Sequence, residues 1–438
     1  VSDDETTTEQ LRAEALARVR VLLLELGCTD GEIDRAVADD VVDLLVVDRM
    51  MVPTTNRMTQ AQVSEQTDIP IETARRFWRA LGFLDVGDDD PVFTDMDIEA
   101  VQLFQAMVAM GLVDTESAIQ MARVIGTAMA TVAEAETGPG TTPILMTSGD
   151  SVIDADAFAR QAGASLPAMA RLLEFVWRRH LQAATRRAML LRSRGAGQGI
   201  SPVVAVGFAD MVGFTMLSQH LSDEELAEVV SRFEALAHDT VVALGGRVVK
   251  MIGDEVMFVV PTATGAAQIG LSLAEAYSGD ELLSDVRVAL AIGPVLAQDG
   301  DFYGPVVNLA HRLVGVANPG TVLVSDEFQS ALDSEEARGF DLRALRTRTL
   351  KDIGRVQVWK LARVGAEPGA DRRRNMRWER LEGVLRELDD LRDRGEQVMS
   401  RGAAPTDRSV SVPVEAGRGD ALGPQVEASL ERSDGTSP

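Results

Sequence analysis

The period of the apolar residues changes partway along the chain, and that change limits the fold more than any other feature. Up to about residue 194 the apolar side chains recur at three- and four-residue steps, as in Leu11, Ala15, Val19, Leu22 and Leu23, the period of an amphipathic helix. Beyond residue 202, short runs rich in Val, Ile, Leu and Phe appear at 203–208, 248–252, 256–260 and 286–292, separated by turn residues and by stretches of helical period. One layer architecture does not serve both patterns. The sequence predicts an all-α region followed by an α+β domain.

A chain of 438 residues is long enough for two or three domains. Aromatic residues make up only 4% of it, so Leu, Val, Ala and Met must fill the cores. The net charge of −25 argues against a general polyanion binder, because nucleic-acid affinity rests on neutralising phosphates. A nucleotide substrate remains compatible, since a bound metal inverts the local field. No apolar run reaches the ~18–20 residues of a membrane span. The acidic start has no basic segment or apolar stretch of a secretory signal. Cys28 is the single cysteine, so no intrachain disulfide forms, and it reads as a small core residue. Together these features predict a cytoplasmic protein.

Along the helical part, loops at 87–91 and 138–143 separate the pieces. A long helix is predicted at 166–191, running into a Gly- and Ser-rich hinge at 193–202. A strand then leads to Asp210. The helix at 223–244 has Ser222 as N-cap, with Glu225 three positions on. Strands at 248–252 and 256–260 flank Gly253-Asp254, a hairpin signal. A helix at 263–277, a strand at 286–292, a helix at 308–316 and strands at 321–325 and 356–361 follow. This is a β-α-β-β-α-β order with additions, a ferredoxin-like arrangement. The expected division is a helical domain over 1–164, a linker helix and hinge over 165–202, an α+β domain over 203–364, a C-terminal helical extension over 365–400 and a disordered tail over 401–438.

Three segments carry chemistry. In Phe208-Ala209-Asp210-Met211-Val212-Gly213, an apolar strand delivers a carboxylate to the start of a Gly-containing turn, where carboxylate and backbone N–H groups together suit a metal ion and phosphates. Lys250-Met251-Ile252-Gly253-Asp254-Glu255 places a second carboxylate at a hairpin tip. If the hairpin lies beside the first strand, Asp210 and Asp254 converge and repel unless a cation joins them. In the third segment, Asp301 to Arg312, Asn308 and Arg312 are four apart and share one helix face. Arg can neutralise charge developing on phosphorus, and Asn can orient a sugar.

Taken together, these segments resemble the class III nucleotidyl cyclases over residues 203–359. The resemblance implies that Asp210 and Asp254 bind two Mg²⁺ or Mn²⁺ ions and that Lys250 and Asp301 read adenine. Guanylyl cyclases usually carry Glu and a small polar residue at that pair, so ATP is the implied substrate. Asn308 would orient the ribose and Arg312 would stabilise the transition state. Lys351, in Leu350-Lys351-Asp352-Ile353-Gly354, sits where relatives often have a basic triphosphate contact, although the following Asp replaces the usual Gly. The family makes cyclic AMP and pyrophosphate by attack of the 3′-hydroxyl on the α-phosphorus. Its sites form between two catalytic domains, and this chain carries both sets of residues, which implies a homodimer with two equivalent sites.

The segment 58–82 reads as two short helices joined by a turn, a MerR-like helix-turn-helix with Arg75, Arg76 and Arg79 on its second helix. One reading is a DNA-binding or nucleotide-sensing regulator. The other is a helical regulatory domain of the same shape, favoured by the acids that follow: Asp85, Asp88, Asp89, Asp90, Asp95, Asp97 and Glu99 would repel phosphates. The chain order also resembles actinobacterial adenylate cyclases whose helical regulatory domain precedes the catalytic one, which implies control of the cyclase by a small-molecule or pH input. His180, on the helix entering the hinge, is a candidate pH-responsive group. His220, His238 and His311 are scattered and do not suggest a zinc site.

Overall fold

The computed structural model describes residues 2–54, 56–138, 150–193, 201–280, 282–332 and 336–366. The expected C-terminal helix and tail lie outside the described residues, as does most of the hinge. The N-terminal part contains α1 (Ser2–Glu25), α2 (Asp30–Ala38), α3 (Val42–Met51), α4 (Gln60–Thr67), α5 (Ile71–Leu81), α6 (Asp95–Ala109), α7 (Thr115–Thr137) and α8 (Ser151–Ser193). Thr59 caps α4 through a reciprocal box with Gln62, Asp68 turns the chain at φ 54°, and Pro70 leads into α5, giving the predicted helix-turn-helix. Helix α7 crosses α5 at Gly126, where a Cβ would fall 2.3 Å from the Leu81 carbonyl oxygen. Only glycine permits that approach.

Helix α8 differs from expectation. It begins at Ser151 rather than at residue 166, and it runs through Pro167. Proline removes an intrahelical hydrogen bond, so the sequence suggests a boundary beside it. Burial outweighs that cost: Val152, Ala155, Phe158 and Ala162 form a helical stripe packed with Ala15, Val19, Leu23, Val42 and Val46. Cys28 is buried in the same cluster, as predicted. From residue 163 to residue 189 no side chain of α8 is buried.

The second part contains β1 (Val203–Met211), α9 (Phe214–Leu217), α10 (Asp223–Ala243), β2 (Arg247–Ile252), β3 (Glu255–Val260), α11 (Ala263–Gly279), β4 (Val286–Pro294), β5 (Leu296–Gln298), β6 (Asp301–Tyr303), α12 (Pro305–Val314), β7 (Val322–Ser325), α13 (Asp326–Ala331), β8 (Phe340–Ala344), β9 (Arg348–Leu350), β10 (Gly354–Val356) and β11 (Val358–Arg363). Ser222 and Glu225 form the predicted capping box of α10. The main sheet has the order β2-β3-β1-β4-β7-β11-β8. Its first four strands, with α10 and α11, are the predicted ferredoxin-like unit, and the remaining strands extend it past β4.

Strand alternation assigns the two faces. Ala205, Ala209, Met211, Val256, Phe258, Val286 and Val288 meet Phe233 and Val241 of α10 and Ala267, Ile269 and Tyr277 of α11. Val206, Phe208, Met257, Val259, Ala289 and Ala291 face the other way, onto Val306, Ala310 and Leu313 of α12. Among the described residues no helix is long and apolar enough to cross a membrane.

Candidate active site

The polar groups singled out in the sequence gather on the α12 side of the sheet. Asp210 ends the run Val206, Phe208, Asp210, so it shares their face. In register it lies between Glu255 of β3 and Arg287 of β4. Asp254 follows Gly253, whose φ of +63° makes the tight turn between β2 and β3. The Met211 N–H donates to the Asp254 carbonyl at 3.0 Å, which fixes the hairpin tip beside the end of β1. The convergence of Asp210 and Asp254 expected from the sequence is present.

Their electrostatics follow from that placement. Burial, then repulsion from Asp254, pushes the Asp210 carboxyl up to about 6, with Arg287 opposing. Glu255 is pushed up to about 7 by burial and then by Asp210 and Asp254. Burial also raises Asp254. Among the described residues no ion pair reaches Asp210 or Asp254. Hard carboxylate oxygens that repel one another suit Mg²⁺ or Mn²⁺. Among the described residues no cluster of three or more His, Cys, Asp or Glu is arranged to hold a metal alone. The usual Mg²⁺ site uses one or two carboxylates together with substrate phosphates. The donor set therefore fits.

A second group forms around β2 and β6. Arg247 and Lys250 are three apart, which in a regular strand would put them on opposite faces. A register shift between Val248 and Lys250 places both opposite residues of the α12 face, Val259 and Met257. Arg247 donates to the Gly300 carbonyl at 3.2 Å and lies 4.9 Å over the Phe302 ring, holding the β5–β6 hairpin against β2. Lys250 Nζ then reaches Asp301 Oδ2 at 2.5 Å. Burial alone would raise the Asp301 carboxyl, but the Lys250 ammonium and the Phe302 N–H, at 2.7 Å, hold it below its ordinary value.

The third group is on α12. Asn308 and Arg312 are exposed on it and line one cavity with His311, Lys351, Asp352 and Ile353. Lys351, in the turn between β9 and β10, is thus brought to the two α12 residues. Arg312 stands 3.8 Å from Asp352. Among the described residues no hydrogen bond or ion pair joins Asp210 or Asp254 to Lys250, Asp301, Asn308 or Arg312. His180 is exposed on α8.

Two residues of this region, Glu255 and Arg287, escaped the sequence reading. Glu255 joins the carboxylates, and His311 faces it at 3.5 Å while packing edge-on against Phe208 at 5.3 Å. Arg287 flanks Asp210. Alternation along β3 and β4 carried the signal: Glu255 and Arg287 each lie two residues before a core residue of the α12 face.

A ferredoxin-like sheet with a carboxylate pair at its hairpin, a Lys–Asp pair on the neighbouring strand and an Asn–Arg helix defines a class III nucleotidyl cyclase domain. Residues 199–362 match the adenylate and guanylate cyclase catalytic domain family, and residues 5–189 match the adenylate cyclase regulatory domain family. The chain belongs to the adenylate cyclases that combine these two domains, and it is an enzyme of that kind. It is 32% identical over 364 residues to an adenylate cyclase of Streptomyces coelicolor, covering 76% of this chain and 95% of that protein. An adenylate cyclase of Glutamicibacter nicotianae is 34% identical over 349 residues, covering 75% and 83%. A protein named pH-sensitive adenylate cyclase from Mycobacterium tuberculosis is 32% identical over 373 residues, covering 82% and 90%.

Proposed function

We propose that this adenylate cyclase converts ATP to 3′,5′-cyclic AMP and pyrophosphate at two equivalent sites, each built from two copies of the chain. The observation that carries the reading is the division of the polar groups. Asp210 and Asp254 form one set, and Lys250, Asp301, Asn308 and Arg312 form others, with no hydrogen bond or ion pair between them among the described residues. A twofold partner brings the first set of one copy to the second set of the other. Exposed apolar side chains on α8, among them Leu172, Phe175, Trp177 and Leu181, support a second copy along that helix.

In this reading Asp210 and Asp254 hold two divalent cations. When bound, such cations acidify the ribose 3′-hydroxyl and neutralise the triphosphate. Lys250 donates to the adenine ring and Asp301 accepts from its exocyclic amine, a reading supported by the two side chains standing side by side as an ion pair. Asn308 orients the ribose, and Lys351 meets the triphosphate. The bond from O3′ to the α-phosphorus forms as the bond to the bridging oxygen breaks. The hydroxyl proton leaves to solvent, and Arg312 stabilises the charge that spreads over the phosphoryl oxygens.

The helical part regulates the catalytic part. The division into domains over 1–164, 165–202, 203–364, 365–400 and 401–438 belongs to the same proposal, with α8 as the connecting element. His180, exposed on α8, is the position at which a pH input is tested, by comparing pH–activity profiles of the wild type and His180→Ala.

Two measurements test the main claim. Incubation with ATP or GTP and Mn²⁺, followed by chromatography, should give cyclic AMP from ATP. Mixing inactive Asp210→Asn and Arg312→Ala chains should restore about a quarter of wild-type activity, because half of the dimers carry one intact site. Absence of complementation would remove the shared-site reading.

A further inference from the structure

We propose that Arg287 is the resident counter-charge of the carboxylate cluster and a positioning residue for the cyclase reaction. The cross-strand row at the end of the sheet reads Arg287, Asp210, Glu255, on β4, β1 and β3. Side chains directly opposite in such a row lie on the same face, close enough to interact. Asp254 completes the group at the hairpin tip, tied to β1 by the Met211–Asp254 backbone bond. Three carboxylates thus lie at one end of one sheet face, and Arg287 is the cation built into the same row.

Arg287 is not committed elsewhere. Among the described residues it makes no ion pair, and its Nε is buried with no hydrogen-bond partner. A guanidinium so placed sacrifices a hydrogen bond that a surface position would give it. Its field opposes the shifts of both Asp210 and Asp254. The other basic groups nearby are engaged: Lys250 with Asp301, and Arg247 with Gly300 and Phe302. His311 faces Glu255 on the far side of the row.

The consequence is a division of labour. Without divalent ions, Arg287 limits repulsion among Asp210, Asp254 and Glu255, so the hairpin tip stays beside β1 and the site is ready for metal and nucleotide. With the guanidinium removed, the metal-free site splays, and cation binding must first draw it together. Arg287 acts through Asp210 and Asp254 and needs no contact with substrate.

The test uses the full chain at about pH 8, where the carboxylates are ionised. Four proteins are compared: wild type, Arg287→Gln, Arg287→Lys, and the double variant Arg287→Gln/Asp210→Asn. The readouts are the melting temperature with chelator, the rise on adding Mn²⁺, and, for the chains with Asp210 intact, kcat and KM. Arg287→Gln should melt several degrees lower with chelator and gain more than wild type from Mn²⁺. Its kcat should fall about 10-fold or more while KM for ATP moves less. Arg287→Lys should recover most of the metal-free melting temperature. The double variant removes one charge of each sign and should melt near wild type in chelator, an outcome that a packing role for Arg287 does not produce. The double variant carries the same test if Arg287→Gln does not fold. An unchanged metal-free melting temperature in Arg287→Gln overturns the proposal. So does a lysine variant as poor as glutamine, or a double variant no better than Arg287→Gln.

Discussion

In the helical half, clustered charge is paired. Arg75 meets Glu72 at 2.9 Å and also Asp88, Arg76 meets Glu116 at 2.7 Å, and Arg79 meets Asp85 at 2.6 Å. In the α+β half, Asp210, Asp254 and Glu255 lie at the same end of the sheet; burial raises all three, and repulsion from neighbouring carboxylates adds to it at Asp210 and Glu255. The contrast shows where each half can bind something. A guanidinium already held by a carboxylate gains little from a phosphate. A carboxylate cluster without a metal gains a great deal from one. The helix-turn-helix therefore has the shape of a DNA reader without its free charge, whereas Asp210 and Asp254 at the hairpin carry no ion pair among the described residues.

The largest test of this contrast is Asp210→Asn. Cyclase activity should fall about 10³-fold, with cyclic AMP measured by chromatography. Metal-free stability should hold or rise, since a source of repulsion is gone. Activity within a factor of a few of wild type would break the comparison at its strongest point.

Next in size is the specificity pair. Lys250→Glu with Asp301→Ser should lower the preference for ATP over GTP by about 100-fold in kcat/KM, because polar groups matched to one base are left unpaired by the other. An unchanged ratio would move adenine recognition to other residues.

A smaller effect is expected in the pH dependence of stability. Folding raises Asp210 from 3.8 to about 6 and Glu255 from 4.5 to about 7. Between those limits the folded chain binds more protons than the unfolded chain, so these groups make metal-free stability fall as pH rises from about 4 to about 7. Melting curves with chelator should show that fall, Glu255→Gln should flatten it, and Mn²⁺ should offset it at the upper end. A Glu255→Gln profile parallel to wild type would count against the raised carboxyls.

The smallest effect belongs to the paired half. Arg76→Ala removes an exposed ion pair and should move the melting temperature by less than about 2 °C. The full chain should show no salt-dependent retention on duplex DNA. Such retention, lost in Arg76→Ala, would revive the DNA-binding reading.

Much of this was legible from the sequence. The capping box at Ser222 and Glu225, the turn at Gly253-Asp254 and the helical spacing of Asn308 and Arg312 are local signals, and the local structure obeys them. What stayed hidden depends on pairing between distant segments. The register that sets Glu255 and Arg287 on either side of Asp210 joins residues far apart in the chain. The shift in β2 that turns Lys250 to the same side as Arg247 has no marker residue. The early start of α8 was masked by Pro167, whose local preference was overruled by burial of Val152, Ala155 and Phe158. The pairing of Arg75, Arg76 and Arg79 was foreshadowed only as an excess of nearby acid; the particular partner of Arg76, Glu116, comes from another helix.

Helix α8 has 43 residues, and its buried stripe ends at Ala162. At 1.5 Å per residue it spans about 65 Å, so a tilt of about 5° at the anchored end carries the other end through about 6 Å. Two such rods in a twofold assembly would work as the arms of a pair of tongs. A slight repacking around Val152 and Phe158, too small to disturb the core there, would open or close the gap between two catalytic domains by more than a hydrogen bond can bridge.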